Sequence, residues 1–179
     1  MLALGGTWLP ASPARDEPCW EIARKEFVGQ ATPFITELPD CWVVALDVYV
    51  GHAGYAKVIN QILGNDPDEF ASLAYRSFSA RTPSRDAARS EFLRLMQQLL
   101  TDLEHEDLAH HLDRFRSERP DAPLMAQIHH LAALAWTADF ARLDDYLQLF
   151  KRGKRLNFVP HISLEMIDRA VDIAAERTS

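Results

Sequence analysis

The run Cys41-Trp42-Val43-Val44-Ala45-Leu46-Asp47-Val48-Tyr49-Val50 constrains the fold more than any other stretch of the chain. β-branched and aromatic residues dominate it, and such side chains pack well on a pleated, half-buried surface. One parity carries Trp42, Val44, Leu46, Val48 and Val50, all apolar, and the other carries the mixed set Cys41, Val43, Ala45, Asp47 and Tyr49. Successive side chains of a strand point to opposite faces, so this pattern predicts a strand with one apolar and one mixed face. Pro39-Asp40 marks the turn before it and Gly51 its end. An isolated strand leaves its N–H and C=O groups unpaired, so partner strands are required. Residues 20–28 and 34–38 are the upstream candidates, although the first also fits a short helix. Residues 1–18 read as a flexible arm, because Pro10, Pro13 and Pro18 interrupt regular structure. Residues 1–9 lack the basic start of a signal peptide and are broken by glycines.

After Gly51 the apolar period changes from two to that of a helix. Tyr55, Val58, Ile59 and Ile62 share one stripe, which Gly64-Asn65 stops. Asp66-Pro67 is expected to open a second helix with Phe70, Leu73, Ala74 and Phe78 inward. Pro83 opens a third, in which Phe92, Leu95, Met96, Leu99 and Leu103 form the strongest amphipathic stripe of the chain. Further helices are expected over about 106–117, 124–137 and 140–151, with Asp139 as an N-cap and Gly153 as a left-handed stop. Ser163 caps a last helix running to about residue 175.

The formal net charge is −7, with a pI near 5.4. A surface of that sign repels nucleic-acid phosphate and anionic lipid, and it suits a basic protein partner. No apolar run approaches the ~20 residues that span a bilayer. Cys19 and Cys41 form neither a disulfide framework nor a zinc quartet, and neither sits in a Cys–His context. Seven acids against three arginines lie between Asp102 and Asp121. Of these Asp102, Glu104, Glu106, Asp107 and Asp113 are the candidate acidic docking ridge. His105, His110 and His111 lie in the same stretch. His105 and His110 are five apart, about 140° around a helix, so they do not form the paired ligands of a zinc protease. Asp107 with His111, or Glu106 with His110, could share a face, and His129 and His130 could add ligands. Lys151-Arg152-Gly153-Lys154-Arg155 is the one basic cluster, and helix termination explains half of it.

The segments His130-Leu131-Ala132-Ala133-Leu134-Ala135, 146–150, Leu156-Asn157-Phe158-Val159-Pro160-His161-Ile162-Ser163 and Met166-Ile167-Asp168-Arg169-Ala170-Val171 resemble a family of uncharacterised proteobacterial α+β proteins, and 47–64 is similar too. The resemblance covers about residues 41–176. It implies β-strands before a helical bundle and, for some members, a role as immunity proteins against secreted toxins. It implies no catalytic residues.

The expected fold is α+β and mostly helical, a small N-terminal β segment followed by six or seven packed helices. Its parts are an arm over 1–18 and a single globular domain over 19–179, with strands about 20–50 and helices about 53–176. The expected function is that of a non-enzymatic, cytoplasmic bacterial binding protein, an immunity protein that neutralises a cognate toxin by direct binding. Asp102, Glu104, Glu106, Asp107 and Asp113 would face a basic toxin or effector, with no nucleic acid, membrane, cofactor, metal or catalytic residue assigned. The alternatives are an acidic secretion chaperone holding an effector, and a metal-dependent enzyme using the His-rich segment 105–111.

Overall fold

The computed structural model describes residues 6–11, 18–117 and 123–178. In chain order its elements are β1 (Thr7–Leu9), β2 (Cys19–Arg24), β3 (Phe27–Leu38), β4 (Cys41–His52), α1 (Ala53–Leu63), β5 (Ala74–Thr82), α2 (Arg85–Glu104), α3 (Leu108–Ser117), α4 (Leu124–Trp136), α5 (Phe140–Lys151) and α6 (Leu164–Thr178). The chain divides into two compact units, Met1–Ala53 with Ser72–Glu106, and Gly54–Ala71 with Asp107–Ser179.

The first unit is a five-stranded antiparallel sheet in the order β1-β2-β3-β4-β5, with α2 laid across one face. The anchoring run is β4, and both of its edges are paired, to β3 through Leu38↔Cys41 and to β5 through Tyr49↔Tyr75. Its apolar parity is the covered one. Val44, Leu46, Val48 and Val50 are fully buried, beside Ile22 and Ala31 of the neighbouring strands. The stripe Leu95, Met96, Leu99 and Leu103 of α2 is buried. Gly29 of β3 marks the closest approach, because a Cβ there would stand 3.0 Å from Leu103 Cδ1. Ser84 caps α2, its Oγ accepting from Ala87 N at 3.2 Å.

A small N-terminal β segment with six or seven helices is therefore corrected to a five-stranded sheet that reaches residue 82, with six helices among the described residues. The main cause is β5, which lies where a helix was expected. Ala74 and Phe78 are four apart, a spacing common to a helical stripe and to strand alternation. The full run resolves it: Arg76, Phe78, Ala80 and Thr82 are half-buried, while Tyr75, Ser77, Ser79 and Arg81 are exposed, a strict period of two. The expected segment 20–28 is β2 and the first residues of β3, and 34–38 is the far end of that same twelve-residue β3. Pro33 is tolerated within it because the β2 ladder ends at Trp20↔Ala31, so at Pro33 the strand needs only its β4 side. Within the stretch read as an arm, Thr7–Leu9 pairs with β2 through Trp8↔Trp20, while 1–5 and 12–17 lie outside the described residues.

The second unit is helical. α1 buries Tyr55, Val58, Ile59 and Ile62 and stops at Gly64, whose φ of +77° closes the turn as Asn65 N donates to Asn60 O. α4 is buried without interruption from Gln127 to Ala135, and α3, α5 and α6 pack against it. A helix buried on all sides belongs at the centre of its layer. Ser163 Oγ accepts from Met166 N at 3.3 Å, the expected cap of α6. Asp139 stands at the N-cap of α5 but makes no capping bond, and its carboxylate lies 3.6 Å from Arg116 Nη2 instead. Among the described residues no helix is long and apolar enough to cross a membrane.

Candidate functional site

The acidic run does not present five bare charges. Arg76 projects from β5 on the covered face and ion-pairs both Asp102, at 3.4 Å, and Glu106, whose side chain is only 7% exposed. Glu104 lies 3.8 Å from Arg24 Nε, and its backbone carbonyl accepts from Lys25 Nζ. Two strands thus supply the cations that neutralise the end of α2. Asp107 and Asp113 belong to the second unit. Asp107 Oδ1 accepts from Ala109 N at the start of α3, and Asp113 is exposed. Such partly exposed pairs contribute to the fold at about 1 kcal/mol or less each, and they offset three of the five charges while Asp107 and Asp113 stay exposed.

Of the histidines in the alternative metal reading, His111, His129 and His130 are buried. His129 stacks on Phe115 with ring centroids 4.4 Å apart, and Tyr55 stacks on both. Tyr55 donates to His129 O at 2.9 Å, and burial pushes its phenol far above the usual range. His130 is fully buried. Its Nδ1 lies 2.9 Å from Phe115 O, an acceptor only, so Nδ1 carries the proton and Nε2 accepts from Tyr146 OH at 3.2 Å. Arg142 Nε in turn donates to Tyr146 OH at 2.9 Å. This chain of bonds fixes one tautomer in a sealed core. His105, at the C-cap of α2, and His110, on α3, are exposed, and among the described residues no group of three His, Cys, Asp or Glu is arranged to hold a metal ion. Cys19 and Cys41 are not joined in a disulfide, and Cys19 is buried. In the basic cluster Arg155 Nη2 binds the carbonyls of Val159 and Ile162, which fixes the loop before α6. A polar cleft of about 440 Å³ is lined by Asp113, Arg116, Ser117 and Arg142, but Arg142 Nη1 is engaged with Arg116 O.

The surface with the least internal purpose is the other face of the sheet. The register places Phe34, Ala45 and Ser79 in one row, Thr32, Asp47 and Ser77 in the next, and Gln30, Tyr49 and Tyr75 in the third. Four large side chains stand out from this face: Phe34 is 39% exposed, Leu38 40%, Tyr49 46% and Tyr75 55%. Small residues, Ala45, Ser77 and Ser79, lie between them, so the face is a shallow floor rimmed by rings. Tyr49 and Tyr75 sit 5.2 Å apart, tilted by 45°. Tyr75 OH donates to Asp47 Oδ1 at 2.9 Å, and this bond holds its phenol above the ordinary value. Gln30 Nε2 donates to Glu21 Oε2 at 3.0 Å on the same face. One end of the floor therefore carries carboxylates beside aromatic rings, and the other carries Arg81. An antiparallel sheet can leave one face to water, but that face is then normally polar. Here four large apolar or aromatic side chains stand among the polar residues Gln30, Thr32, Asp47, Ser77 and Ser79.

Sequence reasoning found half of this face. Cys41, Val43, Ala45, Asp47 and Tyr49 were legible as the mixed parity of one strand. Phe34 and Leu38 were placed in a partner strand but not on this face, and Tyr75 was missed although the alternation of residues 74–82 signalled its strand.

The model of a family of unknown function, DUF6990, matches residues 8–175 of the chain. No curated protein and no solved structure matches it.

Proposed function

We propose that this chain, which belongs to that family of unknown function, is a non-enzymatic binding protein that holds another protein against the open face of its sheet. The observation that carries this is the contrast between the two faces. Under α2 one face buries Val44, Leu46, Val48 and Val50 fully, with its outlying Trp8 (49%) and Ile35 (48%) exposed, while the other leaves Phe34, Leu38, Tyr49 and Tyr75 in solvent. Exposed aromatic side chains on a rigid strand are the anchors that dominate protein interfaces, because they bury much area and lose little conformational freedom. Outside this face His129 and His130 are committed to packing, and Asp102, Glu104 and Glu106 to ion pairs.

The specific form we favour is a cytoplasmic immunity protein that neutralises a secreted toxin by direct binding. The resemblance read from the sequence and the net charge of −7 support it. The contact surface we assign differs from the acidic ridge, since Arg24 and Arg76 offset that ridge internally. The partner would meet Tyr49, Tyr75 and Phe34, with Asp47 and Glu21 favouring a basic rim. The test is co-purification from native lysate with the wild-type chain and with F34S/Y49S/Y75S, three exposed positions whose replacement spares the core. One stoichiometric partner that the triple variant loses, and whose own activity the wild-type chain blocks, is the expected result. A partner retained by the triple variant would overturn the assignment, and a partner bound without inhibition would turn the reading to carriage of an effector.

A further inference from the structure

β5 is an outer strand. It pairs with β4, and among the described residues no backbone hydrogen bond runs from its other edge to any other element. An exposed row of N–H and C=O groups is a template for another strand, and proteins normally blunt it with proline, a bulge, brevity or charge on either face. Here the inward charge is already neutralised by its own ion pairs. β5 has nine residues, Ala74–Thr82, with no proline or glycine, in unbroken register with β4. Arg76 is turned to the covered face and ion-paired with Asp102 and Glu106, so on the open face the strand carries one charge, Arg81.

We propose that β5 pairs antiparallel with β5 of a second copy of this chain, about a two-fold axis at Phe78. A two-fold axis perpendicular to the sheet keeps its faces, so each residue must meet one of its own parity. With the axis at Phe78 all nine residues find a partner. Tyr75 lies opposite Arg81, Ser77 opposite Ser79, Arg76 opposite Ala80, Ala74 opposite Thr82, and Phe78 opposite itself. The exposed Tyr75 ring then receives the Arg81 guanidinium of the other copy, a favourable cross-strand pair, twice by symmetry. Axes at Arg76 or Arg81 would set a guanidinium against its own copy. Axes at Ser77 or Ser79 leave two residues of each strand unmatched and lose the Tyr75–Arg81 pair. The sequence of this edge is thus complementary to itself in one register. The product is a continuous ten-stranded sheet in which the two open faces become one surface, and it stands whether or not a partner protein seats there.

Sedimentation velocity across a concentration series tests this with three full-length chains. Ser77 and Ser79 are exposed, so replacing them leaves the core intact, which circular dichroism checks. The wild type should be a dimer at tens of micromolar. S77K/S79K sets two introduced ammonium groups against each other on both sides of the axis and should weaken the dimer about tenfold. S77K/S79D sets opposite charges across the same pairs and should restore it. A wild type that stays monomeric over the whole series would overturn the proposal. So would a dimer indifferent to S77K/S79K, and so would equal weakening by both variants, since only this register opposes 77 to 79.

Discussion

The packing of α2 on the sheet decides which face is sealed, and Gly29 offers a way to test it. The three atoms nearest a Cβ built at Gly29 all belong to Leu103: Cδ1 at 3.0 Å, Cδ2 at 3.6 Å and Cγ at 3.8 Å. Leu103 is itself fully buried. In Gly29→Ala the new methyl presses on this buried side chain, an overpacking cost of about 1–3 kcal/mol. Against it stands the loss of glycine's unfolded-state freedom, a gain of about 0.4–1 kcal/mol. The net expectation is destabilisation by about 1 kcal/mol. Leu103→Ala alone opens a cavity and should cost about 3 kcal/mol. In that background the clash is gone, and the methyl introduced by Gly29→Ala fills part of the void. The same substitution should then stabilise by about 1 kcal/mol. The double-mutant cycle therefore predicts a coupling of about 2 kcal/mol with a change of sign. Urea unfolding of the four proteins, followed by circular dichroism, measures it. Additivity to within about 0.5 kcal/mol would refute the contact, and with it the assignment of the covered face.

Two further outcomes follow from the ion pairs and the buried phenol. Arg76→Ala leaves the nearly buried Glu106 carboxylate without its guanidinium and should cost about 2 kcal/mol, a loss that Glu106→Gln in the same chain should partly relieve, read by denaturant midpoints. Tyr55 has its phenol raised by burial, so below the unfolded pKa of about 10 both states bind the proton and no pH dependence arises. Above it only the unfolded chain ionises, and stability falls by about 1.4 kcal/mol per pH unit on this account. Tyr55→Phe gives up one hydrogen bond, about 1 kcal/mol at neutral pH, and escapes that slope, so its stability curve should meet the wild type's near pH ~11. Parallel curves up to that pH would contradict the burial of Tyr55.

What the sequence disclosed depended on whether one period dominated locally. β4 and α2 are long, and each carries an unbroken alternation or stripe, so their existence and their buried sides were legible. β5 was not, because Leu73, Ala74 and Phe78 satisfy a helical stripe, and the polar Ser77 and Ser79 that betray a strand look equally natural on a helix surface. β3 was cut short by Gly29 and Pro33, whose presence makes sense only once the approach of Leu103 and the end of the β2 ladder are seen. The acidic run looked free because its neutralising arginines are distant in sequence: Arg76 lies 30 residues from Glu106, and Arg24 comes from another hairpin. The open face was hidden for a similar reason. The mixed parity of β4 was readable, but only the strand register brings Phe34 and Tyr75 beside it.

The most direct test of that face as the working surface is photo-crosslinking in the native cell, with a benzophenone amino acid placed at Tyr49 in one strain and at Glu104 in another. The account predicts an adduct from position 49 that contains a second, different protein, and none from position 104. An adduct from position 104 with position 49 silent would contradict it and return the contact to the acidic end of α2.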